Sequence, residues 1–401
     1  MTDARAATAP QVQPITPDEA RRLGAVVRNH SVLVVCGTGG VGKTTVSSAI
    51  ALGAALEGRR VLVMTIDPAK RLADSLGVEG TLNEATPIDL SATLPGVEIA
   101  EGGALFAMML DAKSTWDDTV RRFASSEETR ERIFDNAYYQ RASESLSGSQ
   151  EYMAMEKLLE MHGTGDYDLV VLDTPPTRNA LDFLEAPDRL MAVLEEGILS
   201  WLIPRNGKGR FNPLAAGARL FGKGREAMFN VLERFMGSEV IRGLAEFISA
   251  MSELLDGMRS RAGEVMTLLR SEQTAFLMVA APNRIALSEG LYFHDRLAEA
   301  DIPFRGFIIN RVRPTTTVGP VEADPWQAGW PHGDDPVRER AVEEVWADHR
   351  RRARWAQVDQ HHIQALRAHC GDGIPYVEVP ELEGEVHDLD ALRLLLEYVQ
   401  G

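Results

Sequence analysis

A glycine-rich segment, GTGGVGKT over residues 37–44, constrains the fold of this chain more than any other feature. It matches the pattern G-x-x-x-x-G-K-[ST], in which glycines let the backbone turn tightly and direct its N–H groups at a bound phosphate. An apolar run over residues 31–36 precedes the segment, and a helix-forming stretch over residues 44–57 follows it. A strand, a loop of this kind and a helix, in that order, predict a phosphate-binding loop (P-loop) in an α/β fold.

The residue types within the loop predict a site for ATP and Mg²⁺. We expect Lys43 to place a cation at the β/γ-phosphate oxygens and Thr44 to offer its hydroxyl to Mg²⁺. The helix after the loop directs its positive N-terminus at the same anion. The predicted nucleotide-binding residues of this segment are Gly37, Thr38, Gly39, Gly40, Val41, Gly42, Lys43, Thr44 and Thr45.

Apolar runs elsewhere predict the rest of the sheet. They lie at residues 61–66, 105–110, 169–172, 275–280, 304–309 and 375–379. Near-continuous apolar strands separated by helices favour a mostly parallel sheet that helices cover on both faces. The predicted fold class is therefore an α/β P-loop nucleoside triphosphatase with an inserted α-helical subdomain.

Helical periodicity divides the chain further. We expect a flexible tail over residues 1–29 and one ATPase domain over residues 30–401, with helical insertions at about 112–165 and 186–268. In the first insertion, Tyr152 and Met155 lie on an apolar face, and Glu156 is predicted to face away from it. The pattern fits both an ordinary helical core and a groove for an apolar client.

Composition excludes several classes of protein. The formal net charge of −17 disfavours DNA and RNA partners, because nucleic-acid binding relies on lysine and arginine side chains that neutralise phosphates. No apolar stretch approaches the ~18 residues of a membrane-spanning helix, and no secretory signal pattern is present. Two cysteines, Cys36 and Cys370, cannot form a disulfide framework. We therefore expect a cytoplasmic protein that is not an integral membrane protein.

Two aspartates follow predicted strands. Asp173 ends the run YDLVVLD over residues 167–173, and Asp67 follows the run over residues 61–66. The carboxyl ends of parallel strands are where sites of α/β proteins lie. We expect Asp173 to hold Mg²⁺ through a water molecule.

Five ordered motifs together resemble the ArsA/GET ATPase family. They are GGVGKTT at 39–45, DPAKRLAD at 67–74, DTPPTRNAL at 173–181, FIIN at 307–310 and VPELEGEV at 379–386. The family comprises arsenite-pump ATPases and ATPases that target tail-anchored membrane proteins, and it belongs to the deviant-Walker class with ParA and MinD. The resemblance implies that Asp67 is a catalytic residue that orients and activates the attacking water, with Lys43 stabilising the phosphates. It also implies that Asp74 lies on switch I, that Asp173 senses the γ-phosphate and Mg²⁺ in switch II, and that Asn310 recognises adenine.

The chain departs from the family pattern at three points. Thr38 stands where the family has a lysine that reaches the partner subunit's nucleotide. Either Lys70 or Arg71 supplies that charge, or a different partner chain does, or hydrolysis is slow. The zinc-binding Cys-x-x-Cys pair and the arsenite-binding cysteine trio are both absent, so the chain resembles a bacterial-type member without the cysteine motifs.

The resemblance favours ATP-driven handling of a hydrophobic protein client or a membrane partner, by a homodimer or by a heterodimer with a lysine-bearing paralogue. The alternatives are an arsenite-pump subunit, a ParA/MinD-like positioning ATPase, and a weakly hydrolysing regulatory subunit of a hetero-oligomer. The missing cysteines oppose the first alternative. The acidic balance and the lack of a basic C-terminal helix oppose the second.

Overall fold

A computed structural model describes residues 17–66, 71–77, 82, 84–136, 139–140, 149–174, 257–258, 260–314, 336–382 and 389–399. Within these residues one sheet has the strand order β3-β4-β2-β5-β1-β6-β7-β8. Every neighbouring pair is parallel except β3 with β4. The predicted α/β fold with a mostly parallel sheet is confirmed. The strands are β1 (Val32–Cys36), β2 (Arg60–Thr65), β3 (Thr86–Ile88), β4 (Ala104–Met109), β5 (Leu169–Asp173), β6 (Thr274–Ala280), β7 (Phe304–Val312) and β8 (Tyr376–Pro380).

The central strands are the most apolar because both faces of the sheet are covered. Every residue of β1, β5 and β6 is buried, as expected of strands in the middle of a parallel sheet. The apolar-run pattern misses β3, which is three residues long, contains Pro87 and lies at the sheet edge. Proline cannot donate to a ladder, so this edge position suits it, but so short a strand leaves little sequence signal.

Helices fill the connections between these strands. The predicted helix after the P-loop is α2, and its residues are buried along most of its length. The helices are α1 (Pro17–Asn29), α2 (Lys43–Leu56), α3 (Arg71–Leu76), α4 (Leu90–Thr93), α5 (Ala112–Phe123), α6 (Glu127–Phe134), α7 (Ser149–Thr164), α8 (residues 260–270), α9 (Arg284–Glu299), α10 (Pro336–Cys370) and α11 (Leu389–Val399). No helix within the described ranges is long and apolar enough to cross a membrane.

The expected flexible tail over residues 1–29 needs a correction. Residues 17–29 form α1, whose Leu23 and Val27 are buried. The carboxylate of Glu19 accepts hydrogen bonds from the Arg367 side chain at 3.1 Å and from the Tyr376 main chain at 3.1 Å. Buried apolar contacts and a paired carboxylate hold this helix on the rest of the fold, whereas residues 1–16 lie outside the described ranges.

The chain divides into two compact units. The first comprises Met1–Leu110, Glu160–Leu181 and Leu268–Gly401, and it contains the whole sheet. The second comprises Asp111–Leu159 and Asp182–Thr267. The bounds of the helical insertions stay a prediction, because most of residues 186–268 lie outside the described ranges.

Within the second unit, Glu156 contradicts its predicted outward position. Its side chain is only 5% exposed and forms ion pairs with Arg261 at 2.8 Å and Arg122 at 3.3 Å. Burying a carboxylate is costly unless cations pair with it, and two guanidinium groups do so here. Tyr152 and Met155 are fully buried. In this unit the apolar stripe of α7 therefore packs as core.

Candidate functional site

The P-loop leaves the sheet where the strand order reverses. Strand β1 lies between β5 and β6. Strands β2 to β5 lie on one side of β1 in the sheet, and β6 to β8 lie on the other. Ligands of open α/β sheets bind in the crevice at such a point. The loop approaches β6 closely, because a Cβ added at Gly37 would lie 2.2 Å from the Val279 carbonyl oxygen. Gly37 also has a φ of 153°, which side-chain-bearing residues rarely adopt.

Gly42 shapes the junction between the loop and α2. It is the N-cap residue, with φ 93° and ψ 26°, and α2 begins at Lys43, one residue before the predicted start. A Cβ at Gly42 would lie 2.4 Å from Nδ2 of Asn310. Because glycine has no side chain to accept from the first N–H groups of the helix, these groups remain suited to an anion.

Lys43 lies folded over the loop. Its Nζ donates a hydrogen bond of 3.0 Å to the main-chain oxygen of Thr38, and the residue is 7% exposed. The remaining predicted loop residues form the turn and the start of α2: Gly39 and Gly40 are exposed, Val41 is buried, and Thr38, Thr44 and Thr45 are half-buried. The loop thus exposes Gly39 and Gly40, whereas the Lys43 side chain is buried and lies against the loop.

The carboxylate of Asp173 links three elements. It lies at the end of β5 and is 1% exposed. Its Oδ2 accepts hydrogen bonds from the hydroxyl of Thr44 at 2.6 Å and from the hydroxyl of Thr65 at 3.0 Å. The strand register explains this meeting, because Asp173 stands level with Thr65 on β2 and Val35 on β1. The structure therefore brings the two predicted magnesium residues together.

This oxygen donor set suits Mg²⁺. The ion prefers oxygen ligands and keeps several water molecules, so one hydroxyl and one nearby carboxylate fit its requirements. The hydroxyl of Thr44 would bind the ion directly, and Asp173 would hold one of its waters. Nowhere in the described residues do three histidine, cysteine, aspartate or glutamate side chains form a group that could hold a metal ion.

Asn310 reaches the loop from β7. Its Nδ2 donates a hydrogen bond of 2.9 Å to the main-chain oxygen of Val41. The predicted base-recognising residue therefore touches the P-loop from a strand two positions away from β1 in the sheet.

The remaining predicted residues are either outside the described part of the chain or on α3. Asp67 and Lys70 lie outside the described residues, as do residues 175–181 of the second acidic motif and 383–386 of the last one. Arg71 and Asp74 lie on α3 and are exposed. Cys36 is buried at the end of β1, and this burial raises the pKa of its thiol to about 12.

Sequence reasoning misses two hydroxyls of the site. Thr65 donates to Asp173, and the hydroxyl of Thr174 donates to the Val35 main-chain oxygen at 3.0 Å. The available signal is positional: each is a polar residue at the carboxyl end of an otherwise apolar run.

Known ATPases are similar to this chain over most of its length. A family model described as anion-transporting ATPase (ArsA ATPase) matches residues 30–323. The chain is 26% identical over 281 residues to ATPase get3 of Neurospora crassa, covering 70% of this chain and 72% of that protein. It is likewise 26% identical over 281 residues to ATPase GET3 of Podospora anserina, with the same coverage. Against ATPase get3 of Aspergillus niger it is 24% identical over 293 residues, covering 72% of this chain and 76% of that protein. This chain belongs to the anion-transporting ATPase (ArsA) family.

Proposed function

We propose that this chain binds ATP with Mg²⁺ on its P-loop and hydrolyses it to ADP and phosphate. We further propose that the nucleotide drives a switch by which the chain handles a hydrophobic protein client or a membrane partner. The membership of the ATPase family supports the first part, and the motif resemblance supports the second.

The observation that carries the proposal is the junction of Thr44 with Asp173. The 2.6 Å hydrogen bond places a carboxylate from β5 beside the hydroxyl at the start of α2. Lys43 lies in the same turn, next to Thr44 in sequence. A buried carboxylate beside a lysine and a helix N-terminus suits a site in which anionic phosphates and a divalent cation offset each other.

The roles of the residues follow from the needs of phosphoryl transfer. This chemistry depends on positioning and on charge stabilisation more than on covalent catalysis. Bound Mg²⁺ would supply positive charge that offsets the negative charge developing on the phosphates. Glycine N–H groups and Lys43 bind the phosphates, Thr44 and Asp173 hold the metal, and Asn310 binds the base. Asp67, which follows β2 in the chain, orients the attacking water.

The assembly we propose is a dimer. Thr38 offers no cation at the position where the family has a lysine, so a homodimer would lack this charge at both sites. Pairing with a lysine-bearing paralogue would restore it at one site. Since a cation supplied in trans can raise a phosphoryl-transfer rate about 10³-fold or more, the hetero-oligomer is the form we expect to hydrolyse ATP fastest.

Client handling is testable with a labelled peptide that forms one apolar helix of about 20 residues. Its affinity for the purified chain is measured without nucleotide, with ADP and with a non-hydrolysable ATP analogue. We expect affinities that differ between the ADP and ATP-analogue states. Thr44→Ala is the matched control and should remove the difference. Equal affinities in all three states of the parent chain would contradict the proposed switch.

A further inference from the structure

Strand β7 is irregular where it reaches the P-loop. Ile309 pairs with Glu378 and Val312 pairs with Pro380, so β7 has one residue more than β8 in this interval. The extra residue forms a bulge at Asn310 and Arg311. Bulges beside functional sites re-aim side chains, and this one accompanies the turn of Asn310 toward Val41.

The backbone of the bulge is held in an unfavourable conformation. Arg311 has a φ of 62°, in the left-handed region that residues with side chains seldom occupy. Its main-chain N–H donates to Oδ1 of Asn310 at 3.0 Å, which fixes the orientation of the amide. Such a conformation persists only where the surrounding structure holds it.

A buried carboxylate on α10 helps to stabilise this conformation. Asp359 has a side chain only 2% exposed, and both of its oxygens are used by Arg313. The Arg313 main-chain N–H donates to Oδ2 at 3.1 Å, and its Nη1 donates to Oδ1 at 2.9 Å. Between the bulge and Arg313, the Val312 main-chain oxygen accepts a hydrogen bond from the Glu381 N–H at 2.9 Å. The chain leaving Asn310 is therefore fixed within three residues.

The guanidinium of Arg313 is also packed on an aromatic ring. It lies 5.2 Å from the centroid of the Trp355 ring, one helical turn before Asp359. A cation over an indole face is favourable, and the stacking limits the rotamers of Arg313. Asp359 and Trp355 thus hold the same side chain from two positions of α10.

The held amide has capacity left for a ligand. An asparagine amide has two N–H donors and two acceptor sites, and Asn310 uses one of each in the bonds to Val41 and Arg311. One donor and one acceptor side by side match the N7 and N6 positions of adenine. Guanine has two acceptors on the same edge, so it leaves the amide oxygen without a donor.

Resting on the function proposed above, we propose that Asp359 is a positioning residue for the base subsite. Through Arg313 it holds the bulge that orients Asn310, and so it sets the preference for adenine over guanine nucleotides. The subsite for the phosphates lies on the P-loop and depends on other contacts.

Asp359→Asn tests this assignment, because its amide nitrogen cannot accept from Arg313. Kd values are measured by calorimetry for ATP, GTP and inorganic tripolyphosphate, each with Mg²⁺. We expect the ATP affinity to fall about tenfold, the loss of roughly one hydrogen bond, while GTP and tripolyphosphate affinities stay unchanged. Gln360→Ala is the matched control: its side chain donates to Glu378 at 2.7 Å from the same turn of α10. The control should keep the ATP preference.

The outcomes separate the two proposals. A parent chain that binds neither ATP nor tripolyphosphate contradicts the proposed function itself. If the parent binds both ligands, and Asp359→Asn keeps the parent's ATP affinity and its ratio of ATP to GTP affinity, only the positioning role is overturned. If Asp359→Asn does not fold, Arg313→Lys replaces it, because lysine retains the charge but not the guanidinium fork. An unchanged ATP-to-GTP ratio in that variant overturns the inference equally.

Discussion

The hydroxyl of Thr44 donates a 2.6 Å hydrogen bond to the carboxylate of Asp173, a residue 129 positions later in the chain. The bond joins the first turn of α2 to the end of β5. Thr65 donates to the same oxygen at 3.0 Å, so the carboxylate is fixed from two elements. We expect this fixed pair to organise the metal on which the proposed hydrolysis depends.

The substitution Asp173→Asn should impair metal use. The new side chain would lack the negative charge that favours Mg²⁺. We expect the hydrolysis rate at saturating Mg²⁺ to fall about 100-fold, the scale seen when one stabilising group of a transition state is removed. Phosphate release at varied Mg²⁺ measures the effect.

The control for that variant is Asp168→Asn. Asp168 lies just before β5 at the opposite end of the strand, where its Oδ2 accepts from the Arg60 N–H at 2.8 Å. It should leave the rate near that of the parent. If Asp173→Asn released phosphate as fast as this control, Asp173 would have no part in metal binding.

Adding a methyl group at Gly42 should weaken ATP binding. Gly42→Ala meets both a φ of 93° and a contact at 2.4 Å with Asn310. The left-handed conformation alone costs about 1–2 kcal/mol for a residue with a Cβ. We expect a lower melting temperature and an ATP affinity reduced about tenfold or more. Gly163→Ala is the control, since no atom in the described part of the chain lies within 4 Å of the added Cβ. Equal ATP affinities in the two variants would contradict a role of the turn at Gly42 in ATP binding.

Asp67→Asn should separate binding from hydrolysis. The side chain keeps its size and loses its basicity, so it no longer activates water. ATP should bind with the parent's affinity, whereas single-turnover hydrolysis should stop. Quenched-flow measurement with radiolabelled ATP gives both quantities. Single-turnover hydrolysis at the parent's rate would remove Asp67 from the mechanism.

Thr38→Lys tests the origin of the missing cation. The contact of Lys43 with residue 38 uses the main-chain oxygen, so the substitution leaves it available. We expect slow hydrolysis by the purified parent chain and a gain of about 10³-fold in a dimer of Thr38→Lys. Thr38→Met, of similar length but without charge, should give no gain. A fast parent chain with no gain from lysine would instead favour Lys70 or Arg71 within a homodimer.

Local patterns predict most of the fold, because buried parallel strands are continuous apolar runs. The sequence marks β1, β5 and β6 in this way, together with the P-loop between β1 and α2. It does not mark β3, whose pairing with β4 depends on a neighbour in space. Residues 17–29 do carry helix signals, with Pro17 at the first position, Asp18 and Glu19 in the first turn and Arg28 in the last. Glu19 of this helix also contacts Arg367 and Tyr376, about 350 positions away, which the sequence does not indicate.

The residues of the candidate site also differ in how well the sequence predicts them. The spacing of residues 37–44 and the strand-ending position of Asp173 are local features, so they can be found in the sequence. The roles of Thr65 and Asp359 arise from strand register and helix packing. Glu156 shows the limit most clearly, since helical periodicity places it outward and only its pairing with Arg122 and Arg261 makes its burial tolerable.

ATP binding by Lys43→Ala tests the proposed nucleotide site most directly. Lys43 is the P-loop cation, and its removal should raise the Kd for ATP with Mg²⁺ by about 100-fold or more, as expected for a charge-assisted contact to phosphate. Calorimetric titration of ATP into the parent, Lys43→Ala and the control Lys113→Ala gives the comparison. We expect tight binding by the parent and the control, and little or none by Lys43→Ala. Equal ATP affinities in all three proteins would contradict the P-loop assignment.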